Sequence, residues 1–300
     1  INVSGKSQVQ DFELSADNYE ANRHYFLNLY HQQHYDEAMS TLPVVNSTMY
    51  ITRIEVWVTN RNNSIENTRN IIAFADLGES QQTNCQGNPG NYSTDIIPRN
   101  ESNGLHSWAA NQPLIRSFAN SVSTLNSQFT SPGPFNQAVE YEKLENARRL
   151  ETNNYTYNAL LGYISLNSPL NNDEVLSVAY EYTYRGETYQ IGEFSTDGAT
   201  GQDALILKLL KPTITNPNNK VWDLMMKNVY SIGAYQVDQL GFKIDILYNN
   251  PETSVELPIM PLDGVDTKQI VTLIDMDKIN QNNQPFSDGV FDFAPFNQVG

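Results

Sequence analysis

The chain has 300 residues and a formal net charge of −16, so it is long enough for one large domain or two medium ones. An acidic surface repels phosphates and anionic headgroups, which argues against nucleic-acid binding and electrostatic docking to membranes. The single cysteine, Cys85, excludes an internal disulfide and a multi-cysteine metal site.

The N-terminal part predicts a helix followed by two strands. Asp17 and Glu20 have the spacing of a capping box, and apolar residues then recur at helical intervals up to Met39 before Pro43. The stretch "MYITRIEVWVTN" alternates strictly and predicts a half-buried strand. One face of that strand would carry Tyr50, Thr52, Ile54, Val56 and Val58, and the other Arg53, Glu55 and Trp57. "NIIAFADLGE" predicts a second strand closed by Gly78.

The middle of the chain changes composition. Residues 81–134 are rich in Asn, Ser, Gly and Pro, which predicts a long irregular excursion with one short helix around "QPLIRSFANSV". Cys85 lies in this loop, with no basic neighbour to lower its pKa, and is interpreted as an incidental thiol. "FNQAVEYEKLENARRL" then predicts a helix with Pro134 at its first position. Its apolar stripe would be Ala138, Tyr141, Leu144 and Ala147.

The second half is mainly strand-like. "EVLSVAYEYTYRGETYQIGEF" predicts a hairpin that turns at Arg185-Gly186, and "LLGYISLN" precedes it as another strand. "FKIDILY" alternates cleanly, with Phe242, Ile244, Ile246 and Tyr248 inward. "DALILKLL" and "WDLMMKNVYSIGAYQ" are apolar on all sides, and their pattern does not distinguish helix from strand.

These elements predict a mainly β protein with a few helices, in the α+β class. We expect antiparallel, β-sandwich-like sheets, two to three amphipathic helices and one long polar loop. The parts would be 1–80 (a helix plus strands), 81–134 (the irregular excursion) and 135–300 (a helix followed by a β-rich part). They would form one compact domain or two closely packed halves. Because the chain starts at Ile1 without Met or a leader, we expect a segment of a larger protein.

The stretch "DMDKINQNNQPFSDGVFDF" gathers oxygen ligands of the kind that calcium prefers. An EF-hand loop starting at Asp275 fails, since Ile279, Asn280 and Phe286 stand where an oxygen ligand, Gly and Glu are needed. "DTKQIVTLIDMDKIN" predicts a helix, on which Asp275 and Asp277 would point about 200° apart. A loop and a strand, "VFDF", would follow. A looser calcium site that joins Asp288 and Asp292 to an upstream Asp such as Asp275 is the alternative to this structural interpretation.

No motif predicts catalysis. The GxSxG elbow, the P-loop, HExxH and GxGxxG are absent from the sequence, and carboxylate pairs can be drawn at will among 34 acidic residues. We therefore expect no enzyme, no catalytic residue and no cofactor. His31, His34 and Glu37 are interpreted as the solvated face of the first helix, in preference to a zinc site. Trp57, outward on its strand, and Trp108, in the long loop, are candidates for glycan or protein contact.

Eight segments of the chain resemble, in order, the SprA (Sov) family of gliding-motility and secretion proteins of Bacteroidetes. The likeness runs from about Ala21 to Phe293 and is weakest across residues 81–134. The segments are "ANRHYFLNLY", "TRIEVWVTNR", "RNIIAFADLGE", "YEKLENARRL", "LGYISLNSPLNNDEVLSVAYEYTYRGETYQIGEF", "LKLLKPT", "WDLMMKNVYSIGA" and "INQNNQPFSDGVFDF".

The resemblance implies a very large outer-membrane β-barrel protein that forms the translocation channel of the type IX secretion system. It also implies three partners: a smaller outer-membrane barrel, a periplasmic plug protein and secreted cargo. The predicted strands are interrupted by helices and polar loops and carry charged residues on their outer faces. This pattern is not typical of the lipid-facing strands of a membrane β-barrel. We therefore expect a water-exposed domain at the outer membrane of a Gram-negative bacterium, on the cell-surface side or alternatively the periplasmic side. The rival hypotheses are a secreted glycan-binding β-sandwich and an extracellular hydrolase.

Overall fold

The computed structural model describes residues 11–42, 44–62, 65–80, 97–118, 135–197, 203–234, 237, 241–282 and 284–293. The protein is mainly β, with 28% strand and 14% helix, and the described residues form five short helices and several sheets. The predicted β-rich α+β class is therefore confirmed. Cys85, Pro43 and Pro134 lie outside the described residues.

The strands and helices have the following bounds in chain order. The first half contains β1 (His24–Phe26), α1 (Leu29–Gln33), α2 (Tyr35–Ala38), β2 (Met49–Val58), β3 (Thr68–Phe74), α3 (Leu105–Ala110), α4 (Pro113–Arg116) and β4 (Tyr141–Arg149). The second half contains β5 (Tyr155–Asn158), β6 (Tyr163–Leu166), β7 (Leu176–Tyr184), β8 (Glu187–Ile191), β9 (Leu205–Lys211), β10 (Tyr248–Asn249), β11 (Glu256–Leu257) and α5 (Ile270–Leu273).

The principal sheet closes on itself. Its strand order is β2-β4-β3-β9-β7-β8, and β2 also pairs with β7 along their whole length, from Met49↔Tyr184 to Val58↔Leu176. The ring β2–β4–β3–β9–β7 is thus continuous, while β8 extends β7 beyond it. All pairs are antiparallel except β3–β9, which is parallel and which the sequence-based prediction of antiparallel sheets did not include.

A bulge in β2 reverses the predicted inward face at the start of this strand, before residue 53. The β2–β7 register shifts between Ile51 and Arg53, and an extra residue of this kind bends a strand and changes which side chains point inward. Before the bulge Met49 and Ile51 are buried whereas Tyr50 is exposed, which is opposite to the prediction. After it, four consecutive residues up to Val58 are buried.

The predicted helix over residues 135–150 is wrong, because β4 occupies most of this stretch. The partners of Arg69 and Ile71 on β4 are Ala147 and Leu144, so β4 contributes one residue more than β3 between these pairs. Asn146, at φ 50°, lies in this bulge. Leu144 and Ala147 therefore both point inward although they are three residues apart, and this spacing imitates a helical stripe.

The predicted N-terminal helix is also wrong in extent. His24–Phe26 pairs with β6 in a small sheet of order β1-β6-β5, and the helical part is limited to the short α1 and α2. Tertiary pairing overrides local helical periodicity here. Tyr25, Leu27 and Ile164 join this small sheet to the same core cluster as the closed sheet.

The principal sheet confirms the predicted hairpin and shows that the unclassified run "DALILKLL" is a strand. The predicted hairpin is present: Arg185 and Gly186 have φ 51° and 85°, as a two-residue turn between right-twisted strands requires. The unclassified "DALILKLL" forms β9, and all seven of its strand residues are buried. Both faces of β9 are covered, which explains why its sequence lacks alternation.

The C-terminal part, residues 241–293, has less regular structure than predicted. The predicted helix from Asp266 to Asn280 is limited to Ile270–Leu273. Only the end of "FKIDILY" is paired, as β10 with β11, and the described residues of "VFDF" form no strand. Ile270, Val271 and Ile279 are buried but do not belong to the main core cluster.

Candidate functional site

A fully buried ion pair lies at the centre of the molecule. Lys208 Nζ is 2.6 Å from Glu79 Oε1, and their side chains are 0% and 2% exposed. Lys208 comes from the middle of β9, and its ammonium also donates to the carbonyl of Ala75. Glu79 follows the turn after β3, in which Gly78 has φ 72°. Buried charges of this kind require a partner, because leaving water costs several kcal/mol per ion.

The carboxylate of Glu79 also holds the start of α1. The backbone N–H of Leu29 donates to Glu79 Oε1 at 3.2 Å. One residue earlier, Asn28 caps α1 by accepting the N–H of His31 at 2.9 Å through Oδ1. The amide of Asn28 donates to the hydroxyl of Tyr180 on β7. The ion pair and its hydrogen bonds thus connect α1, the turn after β3, β7 and β9.

Asn103 adds a further segment to this network. Its buried amide donates to the carbonyls of Asp76 at 2.6 Å and Glu79 at 3.1 Å. Because the two carbonyls belong to the turn that carries Glu79, residues 97–104 cannot move away without leaving backbone acceptors unpaired. We call Asn28, Glu79, Asn103, Tyr180 and Lys208 the central network.

Burial sets the electrostatics of the central network. It raises the pKa of Glu79, whereas Lys208 and the N–H of Leu29 oppose that rise. It also raises the pKa of Tyr180 well above its ordinary value, with Glu79 contributing. Since these side chains are enclosed by protein, the network stabilises one arrangement of elements and presents no reacting group to solvent.

A second charge cluster connects α3, α4 and β9. Glu193 accepts two hydrogen bonds from the guanidinium of Arg116, at 2.6 Å and 2.5 Å, and one from the N–H of Ile206 at 3.0 Å. His106 Nε2 lies 3.1 Å from the same carboxylate. Although desolvation opposes it, these hydrogen bonds and the positive charge of Arg116 lower the pKa of Glu193 to about 2. The bidentate geometry fixes α4 against the strand.

The predicted solvated face of His31, His34 and Glu37 is wrong for His31, which is only 4% exposed. Its ring packs on Gly162, where a Cβ would lie 1.9 Å from His31 Cδ2. Burial, with a contribution from His34, lowers the pKa of His31 to about 3. His34 stacks on Tyr30 with ring centroids 3.9 Å apart, and Glu37 is exposed. α1, which is much shorter than the predicted helix, places His31 inward.

The carboxylates considered for calcium serve different parts of the C-terminal segment. Asp292 Oδ2 accepts the backbone N–H groups of Lys278 and, at 3.0 Å, Ile279. Asp288 Oδ1 accepts the N–H of Val290 at 3.0 Å. Asp275 has φ 59° in the turn after α5. Over the ranges that the structure covers, no group of three His, Cys, Asp or Glu could hold a metal ion, and the calcium site stays a prediction.

The two tryptophans considered for surface recognition are not free for it. Trp57 is 1% exposed, so the prediction that it points outward is wrong. Trp108 is partly buried on α3 and stacks on Phe135 with ring centroids 5.8 Å apart. Trp57 lies in the run of four buried residues that ends β2, so both faces of this end of the strand are covered.

Comparison with known proteins gives a family match. The family model SprA_N, described as "motility related/secretion protein", matches residues 2–185, which is more than half of the chain. No curated protein matches the chain. Within the described ranges, no helix is long and apolar enough to cross a membrane.

Removing both members of the buried ion pair should cost less than the sum of the two single removals. Lys208→Met leaves the carboxylate of Glu79 enclosed without its cation, and we expect a loss of about 3–5 kcal/mol in the free energy of unfolding. In the double variant with Glu79→Gln, the loss should be smaller than the sum of the single losses. Urea unfolding measures both, with the exposed Lys268→Met as control. Strictly additive losses would contradict the pairing.

His31 should make the protein less stable in mild acid. Its pKa is 6.5 in the unfolded chain and about 3 in the fold, so the unfolded state binds more protons between these values. The free energy of unfolding therefore falls as the pH drops from 6.5 towards 3, by at most about 1.4 kcal/mol per pH unit. Urea unfolding between pH 6.5 and 5 should show a shallower dependence in His31→Gln. Identical slopes would contradict a buried, neutral His31.

Proposed function

The chain belongs to the SprA_N family of motility-related secretion proteins, and from this membership we propose that it is a non-catalytic, architectural domain of a protein-translocation channel. The channel is that of the type IX secretion system in the outer membrane of a Gram-negative bacterium. The domain lies in water, on the cell-surface side of the channel, and contributes to protein secretion and gliding motility. The family match over residues 2–185 is the observation that carries this proposal.

The packing of the domain supports a role that depends on shape. One contiguous core fills the space between the closed sheet and the small sheet. The central network and the Arg116–Glu193 pair lock elements that are distant in sequence. A domain with these constraints keeps one outline when cargo moves past it, because interiors packed in this way deform little.

The surface composition supports a conduit that does not retain its cargo. The chain carries 34 acidic and 18 basic residues, and among the large side chains of the core Trp57, Tyr25 and Phe74 are enclosed. Within the described ranges the exposed aromatic side chains are Phe12, Tyr50, Tyr157 and Phe286. A surface with few exposed rings and a negative field gives folded cargo fewer places to adhere. The partners of the complete channel are the smaller outer-membrane barrel, the periplasmic plug protein and secreted cargo.

The alternative of a secreted glycan-binding module is not favoured. Such a module presents aromatic rings on an open surface, whereas Trp57 is buried and Trp108 is stacked within the fold. Two tyrosines of the hairpin, Tyr180 and Tyr182, are likewise fully buried.

Excision of the domain core from the full-length protein tests the proposal. The backbone N–H of Met226 donates to the carbonyl of His24 at 2.9 Å, so a short Gly-Ser linker can replace residues 25–225 between two points that are adjacent in space. We expect the altered protein to reach the outer membrane in normal amounts but to secrete cargo at about a tenth of the normal rate or less, with gliding lost.

The matched control replaces residues 251–254, where the N–H of Asn250 donates to the carbonyl of Val255 at 3.1 Å, by the same linker. This change leaves the core intact and should leave secretion and gliding unchanged. Co-purification of the small barrel and the plug protein reports whether the channel still assembles. Normal secretion and gliding after excision of residues 25–225 would contradict the proposal.

A further inference from the structure

Residues 242–247 have the alternating pattern of a β-strand, but within the described ranges they have no hydrogen-bonded neighbouring strand. Their side chains alternate between half-buried and exposed, from Phe242 inward and Lys243 outward to Leu247. The ring of Phe242 holds one end in place through contacts with Phe12, Phe291 and Phe293, at 6.1, 6.0 and 5.3 Å between centroids. Across the part of the chain that the structure describes, no backbone hydrogen bond joins residues 242–247 to a neighbour.

These residues lack a neighbouring strand because β11, which pairs with β10, does not continue alongside them. β10 follows this segment directly and pairs with β11 at Tyr248↔Leu257 and Asn249↔Glu256. β11 then runs into Pro258, which has no N–H to donate. The chain turns away there, because the carbonyl of Pro258 accepts the N–H of Ile270 at 2.9 Å and Ile259 pairs with Gln269. The ladder therefore ends after two residues.

An open slot follows the unpaired segment. It is lined by residues 243–246 of this segment and by four residues from later in the chain, Pro258, Gln269, Val271 and Gly289. The slot is partly apolar and lies beside backbone groups that have no backbone partner among the described residues. Both features of a strand-addition site are present: a row of main-chain donors and acceptors, and a space for alternate side chains.

The net charge of residues 241–293 favours one kind of occupant. Residues 241–293 carry nine acidic and three basic side chains. Lys243, one of the three, is already paired with Asp245 at 2.8 Å. A second copy of this chain would bring a net charge of −16 against the same acidic surface, and an anionic partner would be repelled in the same way. A basic partner is attracted.

We propose that residues 242–247 bind an extended, basic segment of a partner polypeptide by β-strand addition. Its apolar side chains enter the slot beside Ile244 and Ile246, and its Lys or Arg side chains face the acidic surface. The inference goes beyond the proposed architectural function and does not depend on it, since the family match ends at residue 185.

Three synthetic peptides of about eight residues, a common strand length, test the proposal on the complete chain. The first alternates valine with lysine. The second alternates valine with glutamate and tests the charge. The third repeats the first with every second backbone nitrogen methylated, which removes ladder donors. We expect only the first to bind, measured by fluorescence anisotropy, and to slow hydrogen exchange at the amides of residues 242–247 by about tenfold or more.

Two variants of the chain complete the test. Ile246→Pro removes one N–H and obstructs the ladder, and should weaken binding of the valine–lysine peptide by about tenfold. Ile246→Val keeps the N–H and a β-branched side chain, and should bind as the parent chain does. Ile246 is outside the main core cluster, so both variants should keep the circular dichroism of the parent.

Four results would overturn the proposal. The first is slow exchange at residues 242–247 in the dilute, free chain, which shows that the segment is already paired. The second is slowing that grows with the concentration of the chain alone, which makes a second copy the occupant. The third is equal binding of the glutamate or methylated peptide. The fourth is undiminished binding by Ile246→Pro.

Discussion

The buried Lys208–Glu79 ion pair is the constraint on which the arrangement of the elements depends. An ammonium in the middle of β9 can be enclosed only if a carboxylate meets it there, and Glu79 reaches it from the turn after β3. The same carboxylate accepts the N–H of Leu29, and the carbonyls of its turn accept the amide of Asn103. Strands, the first helix and residues 97–104 are therefore held by groups that cannot separate without exposing an unpaired charge to an apolar interior.

The described part of the molecule combines this fixed core with an unpaired, strand-like segment. The closed sheet and the small sheet share one core, and the buried charges of Lys208 and Glu79 are paired within it. Residues 242–247 lie outside that core and have no ladder within the described ranges. The proposed channel domain would use both properties, a core that keeps its outline and an edge that can bind another component.

The sequence predicts elements where local pattern and local pairing coincide. The hairpin of β7 and β8 was predicted because its alternation and the Arg185-Gly186 turn are both local. β4 was not, since the bulge at Asn146 spaces inward residues as a helix does. The central network was missed because Glu79 and Lys208 are far apart in the chain. One signal could have found it: a lysine inside the wholly apolar run "DALILKLL" requires a buried acid.

Native-state hydrogen exchange tests most directly the claim that the central network makes one rigid body. The account predicts that the amides of Leu29, of residues 103–105 and of β9 exchange through one shared opening, with free energies equal within about 1 kcal/mol. If α1 or residues 103–105 open at a much lower free energy while β9 stays protected, the network does not bind these elements together and the account is contradicted.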